Sequence, residues 1–359
     1  MDFINIFNNF KIDGTLIDYK ANNVGHINST FISKVDNNGK IEKYTHQKIN
    51  TYVFTKPNEV MSNIDRVTTH IQSKVKGLKS EDNRCLKIIK TNTDQLLYCD
   101  DDNNYWRCYK FIDNVKTFQK VNNTKQAYLL GKAVATFQKQ LSDFDGNSLF
   151  ETIVDFHNMG FRYNQLEQAI EQNRVNRASK VKEEIDFLLA NKDRGLMIFD
   201  LYKNGTLKSR VTHNDTKINN ILFSEKEDEA LCVIDLDTVM PGTILFDTGD
   251  MIRTATSTAL EDETDCSKMK CNIEYFKALI KGYLEIADKF ISKVEKDLIV
   301  ESGRNITQIM AVRFLTDYIN GDIYYSTTHA SHNIERCRTQ IALMKDMDLK
   351  WDQLNNCIN

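Results

Sequence analysis

The sequence has few of the residues and runs that mark several large protein classes. Only 2 of its 359 residues are proline, and none of its eight cysteines belongs to a Cys-x-x-Cys pair. The scattered cysteines disfavour a structural zinc site and predict free thiols in a reducing compartment. No hydrophobic run approaches the length of a membrane span, and no basic stretch followed by an apolar one opens the chain. We therefore expect a soluble, cytoplasmic protein without a membrane partner.

A basic excess is also missing. The chain carries 47 Lys and Arg against 50 Asp and Glu, for a formal net charge of −3. A general nucleic-acid binder would show such an excess, so we expect no nucleic-acid partner. The hydrophobic fraction is 41%, which is ample for a packed core. The sequence leaves the oligomeric state open.

The first third of the chain alternates between apolar and polar residues, as strands do. The Asn38-Gly39 pair between two alternating segments predicts a β-hairpin. Pro57 opens a segment with apolar residues at helical spacing, which predicts a helix over residues 57–76. The predicted strands cover residues 15–19, 30–35, 41–47, 85–90, 95–99 and 105–112.

The remainder of the chain is mostly helical in pattern. We predict helices over residues 124–141 and 166–190, short β segments between 210 and 234, and an almost wholly helical stretch from 246 onward. This arrangement predicts an α+β fold with two lobes, a β-rich lobe at 1–112 and a larger helical lobe at 113–359. A cleft between such lobes is a natural ligand site.

The most informative stretch is a polar loop between two apolar β segments. It contains His213-Asn214-Asp215, with Asn220 five residues after the aspartate. A second apolar strand then ends in Asp235 and Asp237, whose carboxylates strand alternation would point the same way. Phosphoryl transfer needs a carboxylate for the acceptor hydroxyl and oxygen ligands for Mg²⁺. The combination predicts an ATP- and Mg²⁺-dependent small-molecule kinase.

These residues resemble the catalytic loop and metal segment of the aminoglycoside phosphotransferase and choline kinase superfamily, which has the protein-kinase-like fold. The resemblance is greatest to the bacterial N-acetylhexosamine 1-kinases. It rests on THNDTKINN at 212–220 and CVIDLDTVMPG at 232–242. Shorter segments add to it: GHIN at 25–28, KINT at 48–51, WRCY at 106–109 and RFLTDY at 313–318.

The resemblance implies roles for single residues. Asp215 would be the catalytic base, Asn220 and Asp235 the Mg²⁺ ligands, and Asp237 a ligand of a second metal ion. The expected ATP contacts are Gly25, His26, Asn28, Lys48, Tyr109 and Phe111. The expected contacts of a small-molecule sugar are Ile27, Asp215, Arg313, Tyr324 and Trp351. The N-terminal lobe would hold the nucleotide, and the C-terminal lobe the catalytic loop and the sugar.

Alternatives remain at several positions. Asp237 could cap a loop instead of binding a metal, and Asp247 is expected to brace the catalytic loop or to cap a helix. His329 and His332 lack a third ligand for a metal site. The acceptor could be an aminoglycoside, an amino alcohol or another hexose, and the chain could also be a nucleotide-binding pseudokinase that acts as a regulator.

Overall fold

An antiparallel sheet dominates the first third of the computed structural model, which describes residues 2–22, 27–259 and 263–358. Its strands follow the order β1-β2-β3-β6-β4, with β5 beside β6. Asn38 and Gly39 both have positive φ, 54° and 81°, as a two-residue hairpin of type I′ requires, and they confirm the predicted turn. The strands are β1 Thr15–Asn22, β2 Ser29–Asn37, β3 Lys40–Lys48, β4 Ile88–Ile89, β5 Tyr98–Cys99 and β6 Tyr105–Lys110.

Each face of this sheet is covered by one helix. Helix α1, Phe3–Asn8, packs on the face that carries Tyr44, Trp106 and Cys108. Helix α2, Pro57–Val75, packs on the opposite face against Tyr109. The structure confirms the helix that begins at Pro57, whereas the sequence pattern gave no signal for α1. The sheet therefore has an α1 face and an α2 face, and the second of these lies toward the rest of the chain.

The rest of the chain forms the larger, helical lobe. Two small sheets, with the orders β10-β9-β7 and β11-β8, lie at the junction with the first lobe. The helices are α3 Thr124–Gln140, α4 Met159–Gln172, α5 Lys182–Ala190, α6 Lys192–Lys203, α7 Ile244–Thr256, α8 Ile273–Ala287, α9 Lys293–Asp297, α10 Ile299–Asn320, α11 His332–Leu349 and α12 Trp351–Asn355. The strands are β7 Val115–Lys116, β8 Arg210–Thr212, β9 Ile221–Ser224, β10 Ala230–Val233 and β11 Met240–Gly242.

Helices α3 and α8 cross in close contact because each has a glycine at the crossing. A Cβ atom on Gly131 would lie 2.0 Å from the backbone oxygen of Leu279. A Cβ atom on Gly282 would lie 2.0 Å from the backbone oxygen of Tyr128. The backbones can approach this closely only without those side chains, and the crossing fixes α3 behind the catalytic loop.

Two predictions about local structure were wrong. The helix predicted over residues 166–190 is interrupted, because Asn173 adopts a left-handed conformation with φ of 35° and ends α4. Asn is one of the few residues that tolerate the left-handed conformation. The helical spacing of the apolar residues gave no sign that Asn173 adopts it. The strands predicted at 85–90 and 95–99 shrink to two residues each, at β4 and β5.

The two lobes together form the protein-kinase-like α+β fold that the sequence predicted. Strand β6 ends the large sheet at Lys110, and β7 already pairs with β9 in the second lobe. The change of partners falls next to the lobe boundary that we predicted at residue 112. None of the helices in the described ranges is long and apolar enough to cross a membrane.

Candidate active site

The catalytic loop leaves β8 and returns through β9. Asp215 lies in this loop with about a quarter of its side chain exposed, 27%. Its backbone N–H donates to Nδ1 of His213 over 3.2 Å, while Nε2 of His213 donates to the Ile234 carbonyl over 2.9 Å. A ring protonated on Nε2 satisfies both contacts. His213 therefore holds the loop against the end of β10 and is not directed at a substrate.

The Asp215 carboxylate has one engaged and one open oxygen. Asn220 Nδ2 donates to Asp215 Oδ2 over 2.8 Å, and Lys217 Nζ lies 3.3 Å from the same oxygen. Oδ1 accepts no hydrogen bond from any described residue. A carboxylate that is held through one oxygen and open at the other has the geometry of a general base. Lys217 was not singled out from the sequence, although it stands two residues after the expected base.

Asp235 lies at the turn that follows β10. Its backbone is left-handed, with φ of 61°, and residues Leu236–Thr238 form a short 3-10 helix. Strand alternation therefore does not orient Asp235 and Asp237, and that part of the prediction was wrong. The Ile234 N–H donates to the Asn220 carbonyl over 2.9 Å, so the turn is fixed to the catalytic loop and brings Asp235 beside Asp215.

The electrostatics at Asp235 favour a cation. Desolvation in the cleft, followed by the negative charges of Asp237 and Asp215, raises the pKa of Asp235 to about 6. Asp235 itself is still accessible to water, so repulsion from the two neighbouring carboxylates contributes much of this rise in its pKa. A divalent cation would relieve this repulsion.

The donor set around Asp235 fits Mg²⁺. Oδ1 of Asn220 takes part in no hydrogen bond with the described residues, and the Asn220 backbone is bonded to the residue before Asp235, so this oxygen is a second candidate ligand. The described chain contains no group of three or more His, Cys, Asp or Glu arranged to hold a metal. Mg²⁺ commonly binds through one or two protein oxygens plus water and substrate phosphates, so two ligands are sufficient.

Asp247 braces the catalytic loop from behind. It is fully buried, and it accepts hydrogen bonds from the backbone N–H groups of His213 and Asn214 at 2.9 and 2.8 Å. Gln138 on α3 donates to its other oxygen over 3.1 Å. Burial raises the pKa of Asp247, and the backbone N–H groups oppose that shift. The geometry matches the bracing role expected from the sequence.

A buried ion pair joins the two lobes beside the cleft. Arg107 on β6 and Asp237 form a two-pronged salt bridge in which both side chains are almost completely buried. Asn28 Nδ2 also donates to Asp237 Oδ2 over 2.6 Å, and Asn28 Oδ1 accepts from the Asn50 N–H over 2.9 Å. Both Asp237 oxygens are thus engaged, and in this conformation Asp237 offers no open oxygen to a second metal ion. Both polar atoms of the Asn28 side chain are likewise hydrogen-bonded within this link, so neither is open to ATP in this conformation.

The register of the large sheet separates Lys48 from the cleft. Lys48 pairs with Trp106, whereas Gln47 pairs with Arg107. Directly opposed residues point to the same face, so Lys48 belongs to the α1 face and Arg107 to the α2 face. This placement contradicts the predicted phosphate contact of Lys48. Arg107 is the cation that the sheet presents toward Asp235 and Asp237, and the sequence analysis had missed it.

Four further residues were predicted to bind ATP, and the structure describes two of them. Gly25 and His26 lie outside the described residues. Phe111 is half-buried where the chain passes between the lobes, and its N–H donates to the Lys43 carbonyl over 3.0 Å. Tyr109 is buried against α2, with the Arg107 guanidinium 5.3 Å from its ring centre. A nucleotide at this junction would meet Phe111 first, whereas Tyr109 is part of the core.

Arg313 and Tyr324 come together on the second lobe. The Arg313 guanidinium lies 5.2 Å from the ring centre of Phe156, 5.7 Å from that of Tyr324 and 5.4 Å from that of Tyr325. Asp317 fixes the turn that carries both tyrosines, because its carboxylate accepts the N–H groups of residues 323–325. Ile27 is exposed beside Asn28, at the edge of the first lobe.

Trp351 does not join this group. Its ring stacks with Arg194, which pairs with Glu301 near the start of α10. Glu301 and Arg313 are twelve residues apart on that helix, or about 18 Å at 1.5 Å per residue. The structure thus separates Trp351 from Arg313 and Tyr324 and does not bring the predicted sugar contacts together in one place. His329 and His332 stack on each other, and His329 pairs with Glu335.

The fold and the catalytic loop together define a phosphotransferase of the protein-kinase-like class. The sequence model of the phosphotransferase enzyme family matches residues 51–278. That match spans more than half of the chain, and the chain therefore belongs to the phosphotransferase enzyme family.

Solved structures of low sequence identity share the fold along nearly the whole chain. A microcompartment-associated aminopropanol kinase has a TM-score of 0.65 at 10% identity, over 98% of this chain and 97% of the other. A choline kinase from Cryptosporidium parvum has a TM-score of 0.57 at 16% identity, over 98% and 96%. A spectinomycin phosphotransferase in complex with ADP and spectinomycin has a TM-score of 0.56 at 14% identity, over 98% and 97%.

Proposed function

We propose that this chain is a cytoplasmic, ATP- and Mg²⁺-dependent kinase that phosphorylates the anomeric hydroxyl of N-acetylhexosamines. Asp215 accepts the proton of that hydroxyl as its oxygen attacks the γ-phosphorus. The bond between the sugar oxygen and phosphorus forms, the bond to the β-phosphate oxygen breaks, and ADP leaves. Bound through Asn220 and Asp235, Mg²⁺ would neutralise the phosphate charges. The ADP in the spectinomycin phosphotransferase supports ATP as the donor.

The observation that carries the choice of acceptor is the position of the Arg313 guanidinium among three aromatic rings. Such a cluster of rings would attract a cationic ligand, but here the protein's own cation fills it. A choline, an aminopropanol or a polycationic aminoglycoside would meet a like charge. An acceptor that presents oxygen atoms, such as the hydroxyl and acetamido groups of an N-acetylhexosamine, would find N–H donors instead.

The other candidates stay open to a direct comparison. Another hexose or a small amino alcohol would still use Asp215, Asn220 and Asp235. A pseudokinase regulator would bind nucleotide without turnover, and the open Oδ1 of Asp215 argues against that alternative. Release of ADP in the presence of acceptors separates an enzyme from a regulator, and the ranking of acceptors separates the substrate classes.

The decisive experiment is a coupled ADP-release assay with N-acetylglucosamine, N-acetylgalactosamine, glucose, choline and an aminoglycoside. We expect turnover with the N-acetylhexosamines, slower turnover with the parent hexoses, and none with a methyl glycoside, whose anomeric oxygen is blocked. Phosphorus NMR should show a phosphate coupled to the anomeric proton. A phosphate on O6, or equal reaction of the methyl glycoside, would refute the anomeric assignment while leaving a kinase.

A further inference from the structure

Several buried polar atoms near the catalytic loop have no partner. His157 is 7% exposed, and neither of its ring nitrogens forms a hydrogen bond of regular geometry with a described residue. The hydroxyl of Tyr325 and Nε of Arg162 are buried and unpaired as well, within residues 2–22, 27–259 and 263–358. Native proteins pair more than about 90% of buried polar groups. Unpaired atoms that cluster beside an active site therefore indicate a ligand that supplies the missing partners.

The same region holds two arginines that form no ion pair with a carboxylate of the described residues. The one N–H contact of Arg313 among the described residues goes to the sulfur of Met310 at 3.8 Å. Arg162 donates to the side chain of Gln165 and to the Phe156 carbonyl, and neither acceptor is charged. Desolvation, followed by repulsion from Arg313, lowers the pKa of Arg162 to about 10.

The acidic residues nearby are already engaged. Asp155 accepts a hydrogen bond from Asn158 over 2.7 Å, Asp317 holds the backbone of residues 323–325, and Asp250 pairs with Arg253. None of these three carboxylates forms an ion pair with Arg162 or Arg313 among the described residues.

This region lies beside the catalytic loop and includes Arg313, which the sequence resemblance assigns to sugar binding. The His157 ring approaches the backbone of Asn214, the residue before Asp215, without forming a regular hydrogen bond. The ring centres of Phe156 and His157 are 4.5 Å apart, and Arg313 lies against Phe156. The unpaired atoms and the two arginines thus form one group, the wall, beside the catalytic loop and in the lobe that would hold the acceptor.

We propose that this wall is an anion-accepting subsite, and that the preferred acceptor is an N-acetylhexosamine that also bears an acidic group, a carboxylate or a phosphate, which Arg162 and Arg313 bind. The inference rests on the proposed function and goes beyond it, since the parent N-acetylhexosamines are neutral. Arginine binds carboxylate and phosphate oxygens through two parallel N–H donors. His157 and the Tyr325 hydroxyl supply further polar contacts to the same acceptor.

The test compares kcat/KM for acceptors that differ in the charge of one substituent. The neutral reference is N-acetylglucosamine. The acidic probes are its 6-carboxylate analogue, its 6-phosphate and its 3-O-lactyl ether, which place the anion at two positions of the ring. The cationic probe is glucosamine. We expect at least one acidic probe to exceed the reference about tenfold, as one charge-assisted contact provides, and glucosamine to be the poorest acceptor.

Substitutions of the two arginines test whether the wall causes the preference for acidic acceptors. In Arg313→Gln and Arg162→Gln, the ratio of kcat/KM between the best acidic probe and the reference should fall toward one. Arg174 is exposed on the same lobe, and Arg174→Gln is the matched control that should keep the wild-type ratio. If Arg162→Gln fails to fold, Arg313→Gln decides alone. An acidic probe that never exceeds N-acetylglucosamine, or a ratio that persists in Arg313→Gln, overturns the inference.

The same assays distinguish a failure of the proposed function from a failure of the anion-accepting subsite. Phosphorylation of N-acetylglucosamine without any preference for acids supports the proposed function and overturns the subsite. If no reducing sugar is phosphorylated, the proposed function falls, and equilibrium binding of the three acidic probes decides the subsite. Binding to the wild type that weakens in Arg313→Gln and not in Arg174→Gln supports it, and the absence of such binding overturns it.

Discussion

At the scale of single residues, the open Oδ1 of Asp215 carries the chemistry. Asp215→Asn is nearly isosteric and can keep the contact with Asn220 through the side-chain oxygen, so the fold should survive while the proton acceptor is lost. We expect kcat to fall by about 10²–10⁴, with an unchanged melting temperature. Asp186, which is exposed, provides the matched control Asp186→Asn. A folded Asp215→Asn enzyme with near-native turnover would place the active site elsewhere.

Asp235 should bind the metal ion rather than stabilise the fold. Desolvation and neighbouring carboxylates raise its pKa to about 6, which means that the charged form is disfavoured in the folded protein. Removing the charge in Asp235→Ala should therefore not lower the melting temperature at pH 7, whereas activity should be lost and partly recovered at high Mg²⁺. A titration of activity with Mg²⁺ checks this, and an unchanged Mg²⁺ dependence would argue against Asp235 as a ligand.

Lys217 lies beside the expected base, since its Nζ is 3.3 Å from the Asp215 carboxylate, and a phosphoryl group transferred to an acceptor at Asp215 would be close to its charge. We expect Lys217→Met to lower kcat on the order of a hundredfold, as loss of a donor to the transition state does, and to change the KM for ATP less. Steady-state kinetics with ATP as the varied substrate separate the two effects. A large rise in KM with a preserved kcat would assign Lys217 to ground-state binding instead.

At the scale of elements, the Arg107–Asp237 pair links β6 to the turn after β10. Removing one partner leaves the other charge buried and unpaired, which typically costs about 3–5 kcal/mol. Arg107→Met should therefore lower the free energy of unfolding by about that amount, and Arg107→Met combined with Asp237→Leu should recover part of the loss. Unfolding in urea measures both variants.

Lys48→Met is the matched control for that link, because Lys48 belongs to a neighbouring strand but to the opposite face of the sheet. Lys48→Met should lower the free energy of unfolding much less than Arg107→Met does. It should also leave the KM for ATP nearly unchanged, because Lys48 faces away from the cleft. If Lys48→Met raised the KM for ATP strongly while Arg107→Met did not, the assignment of the two faces would be wrong.

At the scale of the whole molecule, two buried histidines make stability depend on pH. Burial lowers the pKa of His46 to about 4 and that of His157 to about 3, from 6.5 in an unfolded chain. Both are neutral in the folded protein, so below pH 6.5 the unfolded chain binds protons that the folded protein excludes. Stability is fully present above that value and falls as the pH drops, by about 2 kcal/mol per histidine at pH 5.

His46 allows a direct measurement, since it lies in the first lobe among the rings of α1, with its Nε2 3.0 Å from the Ser33 hydroxyl. His46→Gln can keep a hydrogen bond to Ser33 and cannot titrate. Between pH 7 and pH 5, the urea midpoint should fall less in His46→Gln than in the wild type. Equal shifts in the two proteins would show that His46 does not contribute to acid sensitivity.

Features that depend on local patterns could be predicted from the sequence. The Asn38-Gly39 hairpin and the start of α2 at Pro57 follow from turn chemistry and helical spacing, which act over a few residues. Asp215 and Asn220 are five residues apart in one loop, so the sequence alone indicates that they belong to the same site. The α+β architecture followed from the change of pattern near residue 112.

Which distant side chains meet depends on the tertiary structure and could not be predicted from local patterns. Arg107 and Asp237 are 130 residues apart, and the face of the sheet that carries Arg107 rather than Lys48 depends on a register in which a shift of one residue exchanges the two faces. Trp351 contacts Arg194 near the start of α10, and the length of that helix separates it from Arg313. His157, Arg162 and Arg313 come from separate elements of the helical lobe, and each is unremarkable alone. That they meet, and that none of them pairs with a carboxylate of the described residues, is a property of packing, which no local pattern in the sequence encodes.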